Sequence, residues 1–249
     1  MSHKVPATRN TPALVIYLID MSGSMGEILD GASKIEHVNQ ALEKVLIRMV
    51  QRSTKGEVIS PRYRLAMVAY SDEPFDIVGD IKTIDQVVKT GRPRLSATNS
   101  TNTAAAFAWA RDLLRRELPK LTGCPAPMIC HLTDGRYTSD DPTPIAKEIM
   151  QMSNDDGQVL VENIYVGPDL TQTSIGDIEG WPGITAASEL KNAYAKKLFE
   201  MSSPLPESYA DMLLDEGYGL KPGARMLIPG TNKDLIELAF AVSGATRVG

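Results

Sequence analysis

The chain has 249 residues, 43% of them apolar and 23% charged, with a formal net charge of −5. That length suits one large α/β domain or two small ones, and that balance favours collapse over disorder. A mildly acidic total disfavours a nucleic-acid partner, no apolar run approaches the ~20 residues that cross a bilayer, and two cysteines are too few for a disulfide scaffold.

Within the first twenty residues the only apolar run is of strand length and ends on Asp20, so no signal-peptide h-region is present. The cysteine count fits a reducing compartment, and a cytoplasmic location is expected. Residues 13–19 are almost continuously apolar, as in a strand covered on both faces. Residues 33–51 carry Ile35, Val38, Leu42, Val45 and Met49 three and four apart, which predicts an amphipathic helix. Residues 64–70 read as the next strand and 75–78 as a short one beside it. The loop between them, Ser71-Asp72-Glu73-Pro74, is short enough only for an antiparallel hairpin. Residues 81–89 are a short helix candidate. The Ala-rich segment 103–118 puts Phe107, Ala110 and Leu114 on one stripe, Thr103 is its expected N-cap, and Pro119 ends it. Residues 128–133 form another buried strand, 142–152 a helix with Pro near its first turn, and 158–166 a further strand.

After Gly167 the pattern loosens. Residues 168–183 are polar, with Trp181 as their large anchor. A helix is predicted over 186–202; Pro204 and Pro206 break it, and 207–216 resume as a short amphipathic helix. Residues 225–228 are a sixth, short strand, and 232–242 a last helix capped by Asn232. Strands alternating with helices predict a Rossmann-like, doubly wound α/β fold: a mostly parallel sheet, one antiparallel edge strand, and helices on both faces. With no repeat and no clear linker, residues 1–249 are expected to form a single domain. Its core is about 13–167 plus 186–249, after an N-terminal tail of 1–12.

Two acidic residues, Asp20 and Asp134, close two of the buried strands. Ligands of open α/β sheets sit at the carboxyl ends of the strands, so neighbouring strands would bring both carboxylates to one crevice. Asp20 opens Asp20-Met21-Ser22-Gly23-Ser24, a D-x-S-x-S pattern. Its glycine permits a sharp turn, and alternation would turn Asp20, Ser22 and Ser24 to one side. An all-oxygen surface of this kind suits a hard cation such as Mg²⁺. Residues 96–103 supply more oxygen, with Thr101 and Thr103 spaced like the two serines. Each stretch alone is an ordinary polar turn; the three together, in this order, carry the weight.

In these pieces the sequence resembles the von Willebrand factor A domains, whose metal-ion-dependent adhesion site reads D-x-S-x-S, then T, then D. The matching residues are Asp20, Ser22 and Ser24 in DMSGS, Thr101 in TNT and Asp134 in LTDG. The resemblance covers about residues 13–167 and the last strand and helix. Within the family the chain resembles the intracellular bacterial branch associated with tellurite-resistance gene clusters, through LVIYLIDMSGSM, LFEMSSPLP and LIELAFAVSGAT. One departure is visible: Asn99-Ser100 stands where the family often has a Gly pair.

The resemblance implies a protein-interaction module and not an enzyme. It implies that Ser22, Ser24 and Thr101 ligate Mg²⁺ (or Mn²⁺ or Ca²⁺) through hydroxyls. Asp20 and Asp134 then act directly or through water. It further implies that a protein partner supplies an acidic residue to the metal. The partners it points to are a protein kinase, a PP2C-type phosphatase or an AAA ATPase of a bacterial stress-response system, with neither nucleic acid nor a membrane span involved.

Two other readings compete with this one. Haloacid-dehalogenase-type phosphatases also place an Asp at the end of the first strand, but their D-x-D-G-T needs a second acid where Ser22 stands, and a serine cannot exchange a proton near neutral pH. A structural scaffold with an inactive metal site is the other. No G-x-x-x-x-G-K-[ST] is present. Of three histidines, His131 lies mid-strand and is expected to pack in the core, His37 is expected on a solvated helix face, and His3 in a flexible tail. Leu198, Phe199, Met201, Leu213 and Leu214 are expected in the core. Arg136 is placed to attract an acidic ligand, and Asp140 and Asp141 are polar loop residues or the rim of the site.

Overall fold

The computed structural model describes residues 3–90, 94–98, 100–230, 235, 238, 239 and 242. Seven strands form one sheet: β1 (Ala13–Asp20), β2 (Tyr63–Tyr70), β3 (Pro74–Asp76), β4 (Lys82–Thr83), β5 (Met128–Thr133), β6 (Leu160–Tyr165) and β7 (Leu227–Pro229). The order is β7-β6-β5-β1-β2-β3, with β4 also paired to β2. All eight residues of β1 are buried, as a strand covered on both faces requires. The pairs among β7, β6, β5, β1 and β2 are parallel, while β3 and β4 run antiparallel to β2. The expected antiparallel edge strand is therefore present, and β4 adds a second short piece.

Helices over the sheet include α1 (Lys34–Ser53), α2 (Ile84–Thr90), α3 (Thr103–Glu117), α4 (Thr143–Gln151), α5 (Ala193–Glu200) and α6 (Glu207–Asp215). Successive β1 side chains go to opposite faces. Val15, Tyr17 and Ile19 join a core with Val38, Leu42 and Met49 of α1, Val87 of α2 and Leu213 of α6. Helical Leu235, Leu238, Ala239 and Val242 belong to the same core. Leu14, Ile16 and Leu18 join the opposite core with Phe107 and Leu114 of α3, Ala146 and Ile149 of α4 and Leu198 of α5. No helix among the described residues is long and apolar enough to cross a membrane.

The strand order reverses at β1: the chain steps to β2 on one side and later to β5 on the other. In a doubly wound sheet the ligand crevice lies at that switch point, outside the carboxyl ends of the strands. Register settles what arrives there. Ile19 pairs with Leu132, so Thr133 stands opposite Asp20, and Asp134 follows one step on.

Several local expectations need correction. Asn102, not Thr103, caps α3, its side chain accepting the Ala105 N–H at 3.1 Å. The helix expected over 186–202 is split into a 3₁₀ turn, Ala187–Glu189, and α5. Asn192 separates them by capping α5 through the Ala195 N–H at 2.8 Å, an Asn–backbone bond that competes with continued helix. Leu214 is exposed, while Leu198, Met201 and Leu213 are buried and Phe199 lies under the Arg225 guanidinium. The N-terminal segment is tied down: Lys4 and Val5 donate backbone N–H groups to Asp156, and Ser208 donates to the His3 carbonyl. His37 is half-buried and bonds the Leu29 carbonyl at 2.6 Å. The Asn232 cap and Asn99 lie outside the described residues.

Candidate metal centre

Asp20 is wholly buried at the end of β1, and each of its oxygens has a partner. Oδ1 accepts the Ser22 N–H at 2.8 Å, and Oδ2 accepts the Thr133 hydroxyl at 2.7 Å. Ser22 then caps the 3₁₀ turn Gly23–Gly26, whose buried Met25 anchors it in the core. That turn brings the Ser22 and Ser24 hydroxyls to 3.1 Å. Across the crevice, Asp134 is buried and its Oδ1 accepts the Arg136 N–H at 3.3 Å. Gly135 permits the turn: its φ is +83°, and a Cβ there would meet the Tyr165 ring at 3.0 Å.

The third loop is bonded to the other two. Thr98 donates its N–H and its hydroxyl to the Met21 carbonyl at 2.5 and 3.1 Å. The carbonyl of buried Thr101 accepts the Thr138 N–H at 3.0 Å and the Thr138 hydroxyl at 3.1 Å. Three separate stretches of sequence thus converge on one end of the sheet, carrying Asp20, Ser22, Ser24, Thr101 and Asp134.

Charge is the tightest constraint here. Burial pushes the Asp20 carboxyl up to about 6, against the hydrogen bonds from Ser22 and Thr133, and the nearby Asp134 charge pushes the same way. A divalent cation beside it would favour its charged form. Two carboxylates and three hydroxyls are the oxygen donors a hard cation takes, so the residues present fit such an ion in kind. They do not fit a His- or Cys-rich site: among the described residues no group of three or more His, Cys, Asp or Glu could hold a metal.

Sequence reasoning missed Lys34, the first residue of α1. It is buried, and its ammonium lies 2.7 Å from Glu27 Oε2 and 3.1 Å from Asp134 Oδ2. One signal was available, since a lysine in the first turn of a helix opposes the helix dipole, a local mismatch that points to a tertiary partner. Arg136, expected to attract acidic ligands, reaches Glu27 at 3.5 Å on the exposed rim. Asp141 accepts from the Lys197 ammonium and the Thr143 N–H, both at hydrogen-bond distance, and the lysine leads in holding its carboxyl down at about 2.

His131 is a core residue, as expected, and it belongs to a buried polar chain. Its Nε2 lies 2.6 Å from the Tyr70 hydroxyl and its Nδ1 2.7 Å from Asn163 Oδ1. Asn163 Nδ2 donates to the Ser202 hydroxyl at 2.9 Å and to the Met201 carbonyl at 3.2 Å, which leaves Oδ1 as the acceptor. His131 therefore carries its proton on Nδ1 and accepts from Tyr70 on Nε2. Burial lowers its pKa to about 4 against the Asn163 hydrogen bond, so the ring is neutral at physiological pH.

Residues 15–136 match the von Willebrand factor type A domain family. Among solved structures, the pilus adhesin SpaC from Lactobacillus rhamnosus GG aligns over 98% of this chain and 31% of its own, at 12% identity and a TM-score of 0.57. The PilB minor pilin from Streptococcus sanguinis, as its D319A mutant, aligns over 93% of this chain and 60% of its own, at 12% identity and a TM-score of 0.54. Proximal thread matrix protein 1 from the mussel byssus aligns over 95% and 48%, at 10% identity and a TM-score of 0.50. At these identities the likeness is one of fold, and the chain spans less than two thirds of the length of each. A search of curated proteins found no match.

Proposed function

We propose, from the premise that residues 15–136 belong to the von Willebrand factor type A domain family, that the chain is a metal-dependent protein-interaction module. Domains of this family commonly mediate protein–protein contact. The observation that carries the metal reading is the pair of buried carboxylates, Asp20 and Asp134, at the ends of adjacent parallel strands. The hydroxyls of Ser22, Ser24 and Thr101 lie on loops bonded around them. These five residues would hold one divalent cation, Mg²⁺ or alternatively Mn²⁺ or Ca²⁺, all of which take hard oxygen donors. When bound, the ion supplies a Lewis-acidic position that an acidic side chain of a partner can occupy.

The chain's own residues do the rest. Thr133 and the Ser22 N–H fix the orientation of Asp20, and Met25 pins the serine turn to the core. Hydroxyls in place of carboxylates leave little negative charge on the ion, so it keeps its attraction for an external carboxylate. Arg136 on the exposed rim adds to that attraction. None of these residues is assigned a catalytic role.

The finer reading takes residues 1–249 as one domain, in which β7 extends the sheet begun by β1. It is a cytoplasmic adaptor in a stress-response system of the tellurite-resistance type. A protein kinase, a PP2C-type phosphatase or an AAA ATPase would supply the acidic residue. The test is a pull-down from a native extract with Mg²⁺ or EDTA, read by mass spectrometry, using the wild type, Ser22→Ala and Asp134→Ala. Capture should be lost with EDTA and in both variants while circular dichroism is unchanged. Capture indifferent to EDTA and to both substitutions would sink the reading.

A further inference from the structure

We propose that Lys34 is a tethered cation that shares Asp134 with the divalent ion, and that this competition sets the metal affinity of the site. The inference rests on the metal reading above. Its basis is one buried side chain with two acidic partners. The Lys34 ammonium bridges Glu27 at 2.7 Å and Asp134 at 3.1 Å, and the side chains of Lys34 and Asp134 are 7% and 3% exposed. An ammonium so placed persists only with carboxylates beside it.

The backbone holds Lys34 in position. Ile28–Leu29 and Ala32–Ser33 form an antiparallel ribbon, turned by Asp30 and Gly31 with φ values of 48° and 86°. An Asp-Gly pair with both φ values positive is the tight hairpin turn that this dipeptide favours. The ribbon brings the Lys34 N–H to the Glu27 carbonyl at 3.0 Å. Ser33 then starts α1 by accepting the Glu36 N–H at 3.3 Å. Lys34 is thus set at the helix start with its side chain directed at Asp134.

Asp134 cannot fully serve two cations. A divalent ion drawing on Asp134 would lie within a few ångström of the ammonium and be repelled by it. Glu27 resolves the conflict. It is the closer of the two partners and its side chain is 51% exposed, so it can keep the ammonium once Asp134 turns to the metal. Without metal, Lys34 neutralises Asp134.

The experiment is calorimetric titration of MgCl₂ alone into the wild type, Lys34→Met, Lys34→Arg and Glu27→Gln, with thermal melts in the presence and absence of Mg²⁺. Lys34→Met should bind Mg²⁺ about tenfold more tightly or better, because a like charge is gone. Lys34→Arg should stay near wild type. Glu27→Gln should bind a few-fold more weakly, because the ammonium loses its alternative partner. Lys34→Met should also melt lower without metal and gain more from Mg²⁺ than the wild type does. A purely structural lysine would lower both melts and leave affinity unchanged or weaker. If the wild type binds Mg²⁺ and Lys34→Met binds it no more tightly, the inference falls and the metal reading stands. If Lys34→Met does not fold, unchanged affinity in Glu27→Gln overturns the inference. If no protein binds Mg²⁺, both fall.

Discussion

Glu162 should weaken the fold, and replacing it should strengthen it. It lies in the middle of β6, wholly buried, opposite Cys130 of β5. Among the described residues neither carboxyl oxygen has a conventional hydrogen-bond partner. Burial raises its pKa well above the ordinary 4.5, offset only by the weakly donating Cys130 thiol. Leaving a buried acceptor unsatisfied costs about 1–3 kcal/mol. Glu162→Met keeps an unbranched chain of similar length and adds no polar atom, so it should recover about that amount. For a chain of this size each kcal/mol moves Tm by roughly 2–4 °C, giving a rise of roughly 2–12 °C. The sign of the pH dependence follows from the raised pKa. The folded state holds the proton more tightly, so the carboxyl's relative contribution is best below 4.5 and is lost as pH rises above it. The variant's advantage should therefore be small near pH 4.5 and larger at pH 8. Urea denaturation followed by circular dichroism at both pH values measures this directly. A variant no more stable than wild type at pH 8, or equally advantaged at both, refutes the reasoning.

Two further outcomes are expected. Two groups should each lose their contribution to stability on acidification, in separate pH ranges. Neutral His131 contributes stability that falls as pH drops from its ordinary 6.5 through about 4, on the order of 3 kcal/mol. Glu117 follows between 4.5 and about 2, since burial is outweighed there by hydrogen bonds from Lys120, Arg64 and Arg116. Because Glu162 and Asp20, both raised, gain stability over the same range, the check is the difference in urea stability between wild type and His131→Gln. That difference should change from pH 7 to 4 in the direction that removes the histidine's contribution; a difference flat over that range would contradict the first loss. Asn192→Ala should remove the α5 cap and cost about 1 kcal/mol, read as a lower Tm in a thermal melt; an unchanged Tm would mean that the cap is redundant with packing.

What the sequence revealed depended on how local the controlling contacts are. The unbroken apolar run of β1 and the three-and-four spacing in α1 are properties of their own segments, and both elements formed close to the expected bounds. Asp20, Ser22, Thr101 and Asp134 were legible as a pattern, and their burial in loops that meet came from the register of β1 with β5. Asn102 and Thr103 are both capping residue types, so the choice between them was decided by where the loop enters the helix, held by the Asn102 N–H on the Ser71 carbonyl. Lys34 meets Asp134 a hundred residues away, and no local pattern encodes that distance. The apolar run around His131 correctly placed it in the core, but its partners Tyr70 and Asn163 lie on other strands.

The polar chain through His131 has a consequence for alignment. The parallel strands it crosses are apolar on both faces, and such strands have little in their side chains to tell one pairing from another two residues along. Tyr70 of β2, His131 of β5 and Asn163 of β6 bond in sequence across that slab and end on Ser202 beyond α5. A two-residue slip of any one strand would bury these groups without partners, a penalty that apolar neighbours would not impose. The chain works as a vernier for the sheet, and keeping β5 in step is what keeps Asp134 level with Asp20.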